Sequence, residues 1–228
     1  MTVFKIVTCQ VNKNQQQDFS TSQLSWRQLS QCEGFGGQFG GWSQTDEQAI
    51  VVGVWQSQEH VTAFMESVHD KIFLKSGQRD TYTKCDVEYF EKFIDIPSSC
   101  DKCEIESDSV FRIAYCRGVQ DIERFVADQH DVWNVHMGQA DGMLGGCVMR
   151  SIKQRNDFVV LTHWSSRGHH ENYRNAIAPK LKLQLSLDEY IKSLSGCVIL
   201  QEAAWIVTPN KMFTSAAALG DFLQSDGC

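Results

Sequence analysis

No stretch of about 18 consecutive apolar residues occurs in the chain, so no transmembrane helix is expected. Positive charge is in short supply. Lys and Arg number 21 against 28 Asp and Glu, a formal net charge of −7, which argues against a nucleic-acid partner. The opening MTVFKIVTCQ turns polar too soon for a signal peptide. Short catalytic signatures are missing as well: there is no G-x-S-x-G elbow, no P-loop and no zinc-protease helix motif. Apolar residues are not scarce, at 42% against 21% charged, and that excludes intrinsic disorder. A chain of 228 residues holds one large domain or two small ones. The expectation is a soluble, cytoplasmic protein with no membrane partner.

Nine cysteines stand at positions 9, 32, 85, 100, 103, 116, 147, 197 and 228. The odd count and the lack of an export signal favour reduced thiols. Cys100 and Cys103 form one C-x-x-C pair, but zinc needs four ligands and no second pair lies at a suitable spacing. They read as linker thiols, and no metal is expected.

The most informative feature is an internal repeat. Phe4-Lys-Ile-Val-Thr-Cys9 returns as Phe111-Arg-Ile-Ala-Tyr-Cys116. Phe19, Gln23 and Trp26 return as Phe125, Gln129 and Trp133. Ile50-Val-Val-Gly-Val-Trp55 returns as Val159-Val-Leu-Thr-His-Trp164, and Phe64 as Tyr173. The offset drifts only between 106 and 109, so the same order of elements occurs twice. The copies are read as residues 1–97 and 109–208, with a polar linker at 98–108 and a C-terminal tail at 209–228.

Each copy reads as β-α-β-β-α-β. In the first copy, residues 3–10 alternate as a strand and residues 14–30 carry Phe19, Gln23, Trp26 and Leu29 at helical spacing. Residues 34–43 and 48–56 form a hairpin. Residues 58–69 place Val61, Phe64, Met65 and Val68 on one helical stripe. Residues 86–96 close the copy. The second copy has strand 109–117, helix 119–137, strands 142–151 and 156–164, helical residues 168–194 broken at Pro179, and strand 197–208. The fold class is therefore α+β: two tandem ferredoxin-like (βαββαβ) repeats. Packing sheet on sheet would make them an intramolecular pseudo-dimeric α+β barrel with the helices outside.

The helix-one pattern, Gly34-Phe-Gly-Gly-Gln38 and Val54-Trp55-Gln-Ser-Gln-Glu-His-Val-Thr-Ala-Phe64 resemble the antibiotic-biosynthesis monooxygenase-like superfamily of dimeric α+β barrels. The resemblance extends over residues 1–97 and more loosely over 109–208. It is to the tandem two-copy members, whose activities are mostly unassigned. The superfamily implies several functions: cofactor-independent oxygenases of aromatic polyketides, haem-degrading oxygenases, muconolactone-type isomerases and plain binding modules. The haem-degrading branch places a Trp nine residues after the Val-Trp tryptophan and a ligating His ten residues further on. Here those positions hold Phe64 and Leu74, and in the second copy Tyr173 and Leu183, so that branch is disfavoured.

Among the polar residues on otherwise apolar faces, His69 ends the helix-two stripe and is followed by Asp70. The matching positions in the second copy are Ala178 and Pro179, so the first copy is the expected active half. An imidazole can take a proton from a phenol or enol. Adjacent residues do not share a helix face, so Asp70 is not automatically its partner. His69 could also be an ordinary surface histidine at a helix C-terminus. Gln23 and Gln129 either face a pocket or are satisfied by backbone. Trp26, Trp42 and Tyr89 line a flat pocket or fill core. Gly34, Gly36, Gly37, Gly40 and Gly41 do not fit a dinucleotide fingerprint and read as bulges or close backbone approaches.

The resulting expectation is a cofactor-independent monooxygenase or isomerase, requiring no cofactor, that acts on a small aromatic or enolisable ligand. His69 would be the base. Gln23, Trp26, Trp42, Phe64 and Tyr89 would bind the substrate. The alternatives are a non-catalytic small-molecule binding module and a structural barrel that self-associates as a homodimer.

Overall fold

The computed structural model describes residues 1–99 and 107–210. The Cys100–Cys103 pair, Cys228 and the tail beyond residue 210 lie outside the described residues. Each repeat has the expected element order. In the first, strand β1 is Val3–Gln10, helix α1 Gln16–Gln23, β2 Phe35–Ser43, β3 Gln48–Trp55, helices α2 and α3 Gln58–Phe64 and Asp70–Ser76, and β4 Lys84–Ile96. In the second, β5 is Val110–Val119, α4 and α5 are Ile122–Asp128 and Asn134–Met137, β6 Met143–Ser151, β7 Phe158–Trp164, α6 and α7 Arg167–Ala176 and Ala178–Leu185, and β8 Ile191–Gln201. The fold is α+β, built of two tandem ferredoxin-like repeats.

By their contacts the residues divide into two units, 1–91 together with 199 onward, and 92–198. In the first unit the strand order is β4-β1-β3-β2, with the last residues of β8 beside β2. β1 is antiparallel to both neighbours, Val3 standing opposite Trp55 and Glu91. In the second unit the order is β8-β5-β7-β6, with β4 next to β6. Every strand thus has two hydrogen-bonded neighbours, and the strand order closes on itself as the repeat reading expects.

Both faces of the sheet carry buried apolar side chains. On β1, Val3 and Cys9 point to one side, and Phe4 and Ile6, equally buried, to the other. A β-bulge falls between Phe35 and Gly37, and another between Met143 and Gly145, at matched places in the two repeats. Gly41 is a close approach: a Cβ there would collide with the backbone carbonyl of Leu200.

Several boundaries differ from the sequence reading, among them the end of β8 at Gln201 instead of 208. Helix one of the first repeat changes pitch after Gln23 and runs as a 3-10 helix over Leu24–Gln31. The three-residue spacing of Gln23, Trp26 and Leu29 is the period of that helix. Helix two continues past residue 69 to Ser76 and stops at Gly77, which is left-handed at φ 67°. In the second repeat the α-helix ends at Leu185, where Ser186 turns left-handed, and after a 3-10 turn over Leu187–Glu189 β8 starts at Ile191, ahead of the expected 197. Pro179 sits in the first turn of α7, after the break that its ring imposes at Ile177. Beyond β8, Trp205 and Val207 are buried in the first unit, and Val207 bridges to Gln38. No described helix is long and apolar enough to cross a membrane.

Candidate functional site

The first unit contains a cavity of about 420 Å³ between its sheet and the helical layer. The sheet contributes alternate residues of β1 and β4, because a period of two sends every second side chain to the same face: Lys5, Val7 and Cys9 from one strand, Cys85, Val87 and Tyr89 from the other. The helical side contributes Gln23, Trp26, Phe64 and His69.

His69 closes a π turn, Met65–His69, inserted between α2 and α3. Such a turn adds a residue and rotates the helix beyond it, a device common at functional sites. The His69 ring stacks on Phe73 at 5.7 Å and meets Trp26 at 5.5 Å and Phe64 at 5.7 Å. His69 Nδ1 lies 2.9 Å from Asp70 Oδ1. The adjacent carboxylate is therefore its partner after all. An ionised carboxylate only accepts, so Nδ1 donates, and in the neutral imidazole Nε2 then keeps its lone pair. Nε2 has no hydrogen-bond partner among the described residues. Asp70 itself is 82% exposed, which places the pair where the cavity meets solvent.

Gln23 is 3% exposed, and its Oε1 has no hydrogen-bond partner among the described residues. The equivalent Gln129 differs: its Nε2 donates to Asn134 Oδ1 at 2.7 Å, and Asn134 donates to the Asp95 carbonyl. Both glutamines line a cavity, and the partner of Gln129 is a side chain, not the backbone expected as the alternative. Trp26 presents its ring and not its N–H to the cavity, because Nε1 donates to buried Gln78 Oε1 at 2.7 Å. Phe64 stacks on Trp55 at 4.9 Å. Tyr89 lines the sheet side. Trp42 does not line the cavity. It packs on Phe19 and Trp205 at 5.7 and 5.2 Å, drawn there by Trp205, whose position after β8 the sequence did not disclose.

Two features escaped the sequence reading. Lys5 reaches into the cavity, its Nζ 5.7 Å from the Phe64 centroid and 3.5 Å from Met65 Sδ. Burial lowers its ammonium to about 8. The signal was a lone charge on the apolar face of β1. The second is a thiol pair. Cys9 and Cys85 face each other in register, with Sγ atoms 3.2 Å apart. The hydrogen bond from Cys9 holds the Cys85 thiol below its usual range, with a contribution from Lys5, and pushes Cys9 far above. Strand register, invisible without the pairing, brings them together. None of the six described cysteines is in a disulfide.

The second unit also has a cavity, of about 410 Å³, at the equivalent place. Arg112, Gln129, Trp133 and Tyr173 line it where Lys5, Gln23, Trp26 and Phe64 line the first. Ala178 stands in its wall without an imidazole. Of the other histidines, His136 and His169 are engaged by the Val132 carbonyl and by Ser165 and Ser166, and His163 stacks on Phe111 at 4.2 Å. Among the described residues no group of three or more His, Cys, Asp or Glu side chains is placed to hold a metal.

Two repeats with matched bulges, matched cavities and a closing strand order have counterparts among solved structures. Two crystal structures, each described as a "putative monooxygenase", superpose over most of the chain. The one from Lactobacillus acidophilus matches with a TM-score of 0.68 at 15% identity, over 91% of this chain and 96% of its own. The one from Fusobacterium nucleatum matches with a TM-score of 0.71 at 11% identity, over 91% and 94%. The chain shares its fold with these two proteins. A structure of an anthrone oxidase-like protein shares it, with a TM-score of 0.69 at 11% identity over 93% of this chain and 95% of its own. At these identities the likeness is one of fold. The uncharacterized protein YdbC of Bacillus subtilis is 29% identical over 93 residues, 40% of this chain and 78% of its own. Residues 3–90, the stretch that carries His69, match the family model of a domain of unknown function (DUF4937).

Proposed function

We propose that the first unit is a cofactor-independent monooxygenase or isomerase site for a small aromatic or enolisable ligand. The observation that carries this reading is the open aromatic cavity, with His69 Nε2 unpartnered among the described residues and Asp70 bonded to Nδ1. A flat ligand would lie between the Trp26 and Phe64 rings and the sheet. His69 Nε2 would take a proton from its phenol, enol or activated C–H. Asp70 would stabilise the imidazolium that forms, and the Gln23 amide, with Oε1 free, would hold a ligand hydroxyl. Returning the proton to another carbon completes an isomerisation. Oxygenation of an activated methylene uses molecular oxygen: the CH2 becomes a ketone and the second oxygen atom leaves as water. The fold shared with an anthrone oxidase-like protein makes anthrone, an activated methylene between two rings, the first probe.

The test follows oxygen uptake and anthraquinone formation with wild type and His69→Ala. Wild type should exceed buffer, and the variant should lose about a hundredfold or more, the usual contribution of a general base. Wild type no faster than buffer, or a variant as fast as wild type, overturns the assignment for this substrate class. The second cavity keeps its size without an imidazole at the matching place. That favours a second reading, non-catalytic binding of a small molecule. Saturable binding with no turnover by either wild type or His69→Ala would establish it.

A further inference from the structure

The cavity of the second unit is equipped differently from the first. Three cations line it, Arg112 from β5, Arg174 from α6 and Lys182 from α7, and no Asp or Glu does among the described residues. None of the three makes an ion pair with a described residue. Arg112 has one hydrogen bond there, from Nη1 to the Cys197 carbonyl at 3.2 Å, which leaves Nε and Nη2 unbonded among the described residues. Its place is built into the fold: Gly196 of β8 lies against the guanidinium, and a Cβ there would collide with Nη1. Arg112 is half-buried, and withdrawing a charge from water without a counter-charge is costly, so proteins keep one chiefly where it meets an opposite charge. Asp128, a carboxylate of the helical layer, accepts the Tyr190 hydroxyl at 2.7 Å and does not line the cavity.

A second polar group points the same way. Tyr173 is 8% exposed, it lines the cavity, and its hydroxyl has no partner among the described residues. The first repeat has Phe64 here, so the hydroxyl is not needed to build the wall. The remaining walls are apolar and aromatic, with Phe125, Trp133 and Trp164 among them. A volume of about 410 Å³ suits a one- or two-ring molecule.

We propose that the second unit is a binding site for an aromatic carboxylate, whose carboxylate pairs with Arg112 and the Tyr173 hydroxyl and whose rings lie against Trp133 and Trp164. Arg174 and Lys182, both exposed at the entrance, would draw the anion in. The side of Arg112 formed by Nε and Nη2 matches the two oxygens of a carboxylate. This site is independent of the His69 assignment and carries no reaction.

The experiment compares 2-naphthoate with its neutral isostere 2-naphthamide by titration calorimetry on the full chain. Wild type should bind the acid about tenfold or more tightly than the amide, as expected for a charge-assisted pair. Arg112→Met should bring the two to parity, while Lys5→Met, in the first cavity, should leave the preference intact. Inorganic phosphate should not compete, since it lacks the apolar body. Parity in wild type, a preference that survives Arg112→Met, or one abolished by Lys5→Met overturns the proposal. Should Arg112→Met fail to fold, a crystal of wild type with 6-bromo-2-naphthoate decides by the bromine anomalous signal. Bromine in the second cavity supports the site, and bromine elsewhere or nowhere removes it.

Discussion

Tyr173→Phe should make the protein more stable. The ring contributes to the core by packing on Trp164, at 5.0 Å between centroids, and Phe retains that contact. The substitution removes only the hydroxyl, which is buried and has no partner among the described residues. Burial also drives its phenol well above the ordinary tyrosine range. A buried hydroxyl with no hydrogen bond costs about 1–3 kcal/mol of desolvation, so its removal should return about 1–2 kcal/mol. For a chain of this length that corresponds to about 2–8 °C in melting temperature. The matched control is Tyr190→Phe. That hydroxyl donates to Asp128 at 2.7 Å, and its ring lies under the Arg124 guanidinium. Losing a hydrogen bond to a charged acceptor should cost about 1.5–3 kcal/mol. Calorimetric melts of the three proteins at neutral pH would decide. If Tyr173→Phe falls below wild type as Tyr190→Phe does, the Tyr173 hydroxyl has a partner, and the argument that it awaits a ligand fails. The same variant should bind 2-naphthoate less tightly, so stability and binding move in opposite directions.

Acid should destabilise the fold through two histidines. His170, 3% exposed, is held down to about 4, first by burial and then by Arg112 and Arg174, with Glu171 opposing. Burial holds His163 down to about 3. The unfolded chain binds these protons near pH 6.5, so stability is full above about that pH and is lost as pH falls towards 4. His170 alone should account for roughly 3 kcal/mol by then. Urea midpoints at neutral and acid pH should fall steeply for wild type and less steeply for His170→Phe; an equal slope would show that His170 plays no part. Thiol chemistry should be ordered too. With Cys100, Cys103 and Cys228 replaced by Ser, limiting iodoacetamide at about pH 7.5 should label Cys85 first, since the thiolate is the reactive form. Burial pushes Cys116 and Cys147 up to about 12, and they should stay unlabelled in the native state. Lys5→Met should slow Cys85. Mass spectrometry showing Cys32 labelled first would refute the effect of the Cys9 hydrogen bond.

What was legible in the sequence was whatever repeats or alternates. The 106–109 offset revealed one element order occurring twice because each copy packs the same stripe, Phe19, Trp26 and Trp55 in one and Phe125, Trp133 and Trp164 in the other, all buried but the half-buried Trp133. Helical spacing also brought Gln23, Trp26, Phe64 and His69 to one cavity, and strand alternation added Tyr89. What was hidden depends on pairing between distant segments. Trp42 left the expected pocket because Trp205, more than 160 residues away, covers it, and no local pattern announces that. Cys9 and Cys85 meet only through the register of β1 on β4. The Asp70 contact was obscured for another reason: a π turn breaks the periodicity on which face assignments rest.

The polar groups of the second repeat have a similar lesson in them. From the sequence, the loss of His69 and Asp70 to Ala178 and Pro179 reads as decay. Decay predicts that polar groups disappear and the cavity fills, since nothing then opposes repacking to full density. Neither has happened. The cavity keeps its volume, Lys5 is matched by an arginine, and Phe64 by a tyrosine whose hydroxyl is a cost to the free protein. Gly196 leaves room for the guanidinium that needs it. A repeat that loses one set of polar groups while gaining another at a cost in stability is under a different demand, and the demand these groups fit is an anion.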